Sequence, residues 1–123
     1  MNIKDLNDLQ KQAILDLAML AMYADGHLAA AEDERIRRLL SSMGFNSESD
    51  LTAQYEASVA RTSSHSQNPE SARGYATVSA KNFPTRDQRL GVLDILNDIV
   101  IVDRHVSLKE SSFLSLVHDA LQI

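Results

Sequence analysis

The segment "YADGHLAAAEDE" (residues 23–34) has a counterpart near the other end of the chain, "IVDRHVSLKESS" (residues 101–112). Each copy carries an Asp, a His two residues later, an aliphatic residue next, and a Glu seven residues after the Asp. In the first copy these are Asp25, His27, Leu28 and Glu32, and in the second Asp103, His105, Val106 and Glu110. A constant offset of 78 positions extends the match on both sides. It pairs Ile14 with Val92, Leu15 with Leu93, Asp16 with Asp94, Leu17 with Ile95, Ile36 with Leu114 and Leu39 with Val117. An ungapped match of this length marks a duplicated helix-turn-helix unit.

The segments flanking the turns have helical periodicity. Leu6, Leu9, Ala13, Ile14, Leu17, Leu20, Ala21 and Ala24 recur at the spacing of a helix face, with Asp5, Asp8, Gln12 and Asp16 in a narrow polar stripe opposite. So wide an apolar arc predicts a central helix, packed on most sides and closed by Gly26. A second helix from about Ala30 places Ile36, Leu39, Leu40 and Met43 on one face and stops at Gly44. "NSESDLTAQYEASVA" opens with capping residues and spaces Leu51, Tyr55 and Val59 as a third. "RTSSHSQNP" predicts an exposed loop, and Pro69 to Ala80 a modest helix. Thr85 and Gln88 form a capping box opening a helix with Leu90, Leu93, Ile95, Leu96, Ile99 and Val102. A last helix is expected from "SLKE" to the C-terminus. No stretch alternates as a half-buried strand would. The expectation is an all-α single domain over 1–123, with repeat halves at about 11–45 and 89–123 and connecting helices at about 47–80.

Composition narrows the function classes. With 123 residues, 44% apolar and 24% charged, the chain can build one core. A net charge of -5 argues against phosphate-backbone binding, and "RIRR" (35–38) is expected to be a solvated helix face. There are no cysteines, hence no disulfide frame or thiolate site. "MNIKDLNDLQ" has no apolar signal core, and "AILDLAMLAMYA" is broken by Asp16 and shorter than a membrane span. These features predict a cytoplasmic protein with no membrane span. The chain lacks G-x-S-x-G, a Walker loop, H-E-x-x-H and a dinucleotide fingerprint. His65 has no catalytic partner visible in sequence, and His118 suits a helix C-terminus.

The repeated turn admits two readings. Calcium fails first: the ligand positions of an EF-hand loop would fall on Ala21 and Tyr23, and in the second copy on Ile99 and Ile101. Capping is the simpler reading. Ser107 can cap the last helix while Glu110 reaches back to its N–H, Glu32 gains from the helix dipole, and Asp25 and Asp103 accept turn N–H groups. Ala29 cannot cap as Ser107 can, so the first turn is less fully explained. In the second reading Asp25, Glu32, Asp103 and Glu110 converge, and a carboxylate cluster of that kind calls for protons or a bridging cation. A divalent metal ion is therefore the one cofactor the sequence offers. His27 and His105 are expected to be exposed turn residues.

"MLAMYADGHLAAAEDERIRRLLSSMGFNSESDL" and "DILNDIVIVDRHVSLKESSFLSLVHDALQI" resemble the tellurite-resistance TerB family and its TerB-like relatives. The shared marks are a helix ending in Ala-Asp-Gly, an aliphatic residue two beyond the Gly, a Glu opening the next helix, and a closing turn of the Met43-Gly44-Phe45 kind. Arg104 stands in the second copy where Gly26 stands in the first. The resemblance implies a helical domain of about six to seven helices and a part in bacterial stress responses to tellurite, other toxic oxyanions and phage. Its partners would be other stress-response proteins, some of them membrane-associated. The family's proposed metal positions fall on Asp25, Glu32, Asp103 and Glu110, and the resemblance carries no established reaction. The expectation is a non-enzymatic adaptor or sensor. A divalent-metal sensor using the four acids is the alternative, and a metal-dependent hydrolase on the same acids is the weaker one.

Overall fold

The computed structural model describes residues 3–22, 30–65, 68–101 and 118–119. After a 3-10 turn at Ile3–Asp5 come α1 (Asp8–Met22), α2 (Ala30–Ser42), α3 (Glu48–Thr62), α4 (Pro69–Ala80) and α5 (Arg86–Ile101). Among the described residues there is no strand. The repeated turns, the Gly26 cap and the helix expected beyond Ser107 lie outside them, apart from His118 and Asp119.

Helix α1 is the axis of the fold. Every residue from Ala13 to Leu20 is buried, because α2, α3, α4 and α5 all pack against this one helix. Around it lie Ile36, Leu39 and Leu40 of α2, Met43 in the turn after it, Ala72, Ala76 and Ala80 of α4, and Val92 and Leu96 of α5. Leu51, Tyr55 and Val59 of α3 complete the shell, half-buried. Burial of each large aliphatic side chain contributes about 1.5–3 kcal/mol.

Local chemistry fixes where the helices begin and end. Asn7 and Gln10 form a reciprocal box at the start of α1: Gln10 N donates to Asn7 Oδ1 at 2.8 Å and Asn7 N to Gln10 Oε1 at 3.1 Å. The Ser47 hydroxyl accepts from Asp50 N at the start of α3. Asn68 caps α4, with Pro69 in its first turn. The Thr85–Gln88 box forms as expected, at 3.2 and 3.4 Å. Helix α2 closes with Gly44 at φ +105°, while Phe45 N bonds Leu40 O and Gly44 N bonds Ser41 O. That left-handed residue with its paired bonds is a glycine C-cap.

Three expectations need correction. Asp16 does not belong to an exposed polar stripe: it is 2% exposed, in the middle of the core. Arg61 and Thr62 are not loop residues but the end of α3, where Thr62 is fully buried. Leu90 is 39% exposed, and the buried stripe of α5 runs through Val92 and Leu96. Leu90 lies two residues from Val92, about 200° around the helix, which turns it away from α1.

At the offset pairs of residues 14–17, which are described in both copies, burial agrees at one and differs at the others. Ile14 and Val92 are both fully buried, and Leu93 and Ile95 pack on the core as partly buried counterparts of Leu15 and Leu17. Asp94, by contrast, is exposed where Asp16 is enclosed.

Candidate functional site

The densest group of chemistry-bearing side chains meets where α1, α3 and α4 converge. Asp16, surrounded by apolar residues of α1, could not remain charged there without partners. Helix α3 provides them through its buried stripe, whose last two positions are Ser58 and Thr62 rather than aliphatic residues. Ser58 Oγ donates to Asp16 Oδ1 at 2.7 Å. Arg61 forks onto the carboxylate, Nε to Oδ2 and Nη2 to Oδ1, both at 2.9 Å. Tyr75 of α4 donates its hydroxyl to Oδ2 at 2.5 Å. Charge-assisted bonds of this kind are shorter and stronger than neutral ones, and the guanidinium fork adds directional specificity.

The junction continues outward from Tyr75. The His65 ring lies against the Tyr75 ring with centroids 4.8 Å apart and planes tilted by 38°. His65 Nδ1 contacts Ser71 Oγ in the first turn of α4. The Thr62 hydroxyl donates to the Ser58 carbonyl at 2.8 Å. His65, expected in an exposed loop without a partner, is thus half-buried and packed.

The electrostatics follow from burial and from the carboxylate. Asp16 accepts a hydrogen bond from Arg61 and holds the guanidinium above its ordinary value. Burial, and then the hydrogen bond to Asp16, push the Tyr75 hydroxyl up to about 12 from an ordinary 10.0. The folded protein therefore keeps a proton that the unfolded chain releases. This contribution to stability is complete below pH 10.0 and is lost as pH climbs through about 12. In Tyr75→Phe the extra loss across that window should vanish, which wild-type and variant urea denaturation curves at pH 9 to 12 would reveal. The same substitution should cost about 1–2 kcal/mol at neutral pH, since it removes a hydrogen bond to a charged acceptor.

The arrangement fastens helices and leaves little for an incoming molecule. The Asp16 side chain is 3% exposed, and its two oxygens take four hydrogen bonds from within the chain. The sequence held two signals for it: an acid between Leu15 and Leu17 in an all-round apolar helix, and Ser58 and Thr62 continuing the stripe of Leu51 and Tyr55.

Of the four sequence-predicted acids, Asp25, Asp103 and Glu110 lie outside the described residues, as do His27 and His105. Glu32 is described only as a residue of α2. Among the described residues, no three His, Asp or Glu side chains are placed to hold a metal ion. In "RIRR", Arg37 pairs with Asp33 at 2.9 Å and Arg38 with Glu34 at 2.8 Å, each one helical turn apart. Arg37 also lies over the Tyr55 ring, 5.1 Å from its centroid, and Tyr55 bonds the Asp33 carboxylate, which is held below its usual value by that bond and by Arg37. These basic residues are therefore partly neutralised by their own helix. The large exposed apolar side chains among the described residues are Leu9, Val78 and Leu90. None of the helices described is long and apolar enough to cross a membrane.

The family model described as "Tellurite resistance protein TerB" matches residues 11–123, nearly the whole chain. Neither a curated protein nor a solved structure gives a significant match.

Proposed function

The chain belongs to the tellurite-resistance TerB family, and on that premise we propose that it is a non-enzymatic helical adaptor or sensor module. It would work in the cytoplasm, within a bacterial stress-response system. The observation that carries this reading is the closed junction at Asp16. The side chains that elsewhere would supply a base, a nucleophile or an anion clamp are here bonded to one another at the meeting of three helices. Such a junction suits a rigid scaffold. Leu9, Val78 and Leu90 supply apolar surface through which a module of this kind could meet other stress-response proteins, including membrane-associated ones.

The test uses the cell that encodes the chain. Deleting the gene should raise sensitivity to tellurite, and a wild-type copy should restore tolerance. A photo-crosslinking residue placed at position 9, 78 or 90 should capture a defined stress-response protein under challenge, while one placed at Arg38 on the ion-paired face of α2 should not. Unchanged tolerance together with no position-specific capture would remove the adaptor reading.

The duplicated turn keeps a divalent-metal sensor as the alternative, using Asp25, Glu32, Asp103 and Glu110. A thermal-shift panel decides between them: stabilisation by one divalent cation, lost in Asp25→Asn/Asp103→Asn, selects the sensor. Turnover in a substrate screen that depended on the same acids would select the hydrolase.

A further inference from the structure

Helix α4 lays Ala72, Ala76 and Ala80 into the core. Its other side, Glu70, Arg73, Gly74, Thr77, Val78 and Lys81, is exposed throughout. These six recur three and four residues apart, so they form one stripe along the helix. Lys81 is the C-cap, and it continues the stripe because its backbone is still helical, at φ -64° and ψ -16°.

Gly74 stands in the middle of this stripe. Among the described residues, a Cβ at position 74 would meet no atom within 4 Å, so nothing inside the chain requires a glycine there. A glycine weakens a helix interior relative to alanine, and α4 is therefore weakened with no compensating contact in the monomer. One turn further on, Val78 is 62% exposed, an apolar side chain beside the dip that Gly74 leaves. The ends of the stripe carry opposite charges, Glu70 in the first turn and Lys81 at the cap. Among the described residues neither forms an ion pair. They stand about 16 Å apart along the axis at 1.5 Å per residue, too far to pair within one helix.

We propose that α4 binds α4 of a second copy of this chain, antiparallel, about a two-fold axis at the level midway between Tyr75 and Ala76. Such an axis sets Glu70 of each copy opposite Lys81 of the other. It also seats Val78 of each copy beside Gly74 of the other, where the missing side chain lets the two backbones approach. The charge order selects the orientation, because parallel helices would set Glu70 against Glu70 and Lys81 against Lys81. A contact of this kind uses the same patch on both copies, so assembly stops at the dimer. One helix face is small beside the roughly 1,200 Å² that a stable interface buries, which makes the dimer weak, with a Kd of about 100–500 µM. Leu9 and Leu90 lie on other helices and take no part. The adaptor reading needs a different protein, so the two can fail separately.

Sedimentation equilibrium of the purified full chain, from about 20 µM to about 1 mM, tests the proposal. The average mass should rise from that of one chain toward that of two. Gly74→Gln should weaken the dimer at least about tenfold by filling the dip. The same substitution should raise the melting temperature in dilute solution by about 2–5 °C, since glutamine is the better helix former. A purely structural role for Gly74 would not move the two readings in opposite senses. Glu70→Lys should weaken the dimer about tenfold, because both attractive pairs become repulsive. Glu70→Lys/Lys81→Glu should recover most of that loss, although the exchange is the worse of the two for the helix dipole. A mass that stays that of one chain up to about 1 mM overturns the proposal. So does a dimer that Gly74→Gln leaves intact, or one that the double exchange fails to restore.

Discussion

Asp16→Asn should lower the stability of the fold by about 3 kcal/mol, although the substitution changes the shape of the side chain hardly at all. Removing one member of a buried ion pair typically costs about 3–5 kcal/mol. The lower end applies because the Arg61 side chain is 29% exposed and keeps part of its hydration. The amide also turns an N–H group toward donors, since Ser58, Arg61 and Tyr75 all donate to this position. Calorimetric melting at pH 7 should show a fall of about 10–15 °C. Arg61→Met should be comparably harmful, because it leaves a carboxylate at 3% exposure with only two hydroxyl donors. Coupling makes the test sharp. The double variant Asp16→Leu/Arg61→Met should lose much less than the sum of the single losses, as contacting charges do when removed together. An Asp16→Asn melt within about 2 °C of wild type would show that the junction does not hold the helices.

The same residue shows how far the sequence could be read. Periodicity made α1 the central helix, because its apolar arc is too wide for a surface helix. The same periodicity placed Asp16 outside, since a pattern of apolar and polar residues assigns every charge to solvent. Only the partners on α3 and α4, 42 to 59 residues away in sequence, reverse that assignment. Arg61 and Thr62 were hidden for a related reason: they open "RTSSHSQNP", which has turn composition, yet α3 runs on to Thr62. Where the chemistry is local, the sequence was sufficient. The Thr85–Gln88 box, the span of α4 and the glycine stop after α2 each depend on residues within one turn, and each is found as expected.

The duplication also looks different beside the structure. At the apolar pair Ile14 and Val92 both side chains are fully buried. At Asp16 and Asp94 one acid is enclosed and its counterpart exposed. Helices α3 and α4 account for the difference, because they bring Ser58, Arg61 and Tyr75 to α1. The sequence match places two acids at equivalent positions, while the helices packed on each decide which one is buried. That is a reason to test Asp25 and Asp103 as single variants too, rather than to assume that matched acids do matched work.

Phe83→Ala should produce the other large loss, about 3–5 kcal/mol, from a residue that helical periodicity passes over. Phe83 sits in the connector between α4 and α5, among the residues of "KNFPT" that have turn composition. Its side chain is nevertheless 1% exposed and among the largest that are fully buried. The backbone around it is held on both sides. Phe83 N donates to Ala80 O at 3.0 Å, Phe83 O accepts from Arg89 Nε at 2.9 Å, and Asn82 O accepts from the Gln10 side chain of α1 at 2.9 Å. The ring is therefore the apolar anchor of a turn that ties α1, α4 and α5 together. Truncation would leave a cavity that those hydrogen bonds keep from collapsing, the condition under which large-to-small changes cost most. Phe83→Leu, which keeps most of the volume, should cost about 1–1.5 kcal/mol. Urea denaturation of the two variants measures both losses, and amide exchange in the first turns of α5 should accelerate in Phe83→Ala before it does elsewhere. A loss below about 1 kcal/mol in Phe83→Ala would mean that the ring fills no core, and that the connector is held by its hydrogen bonds alone.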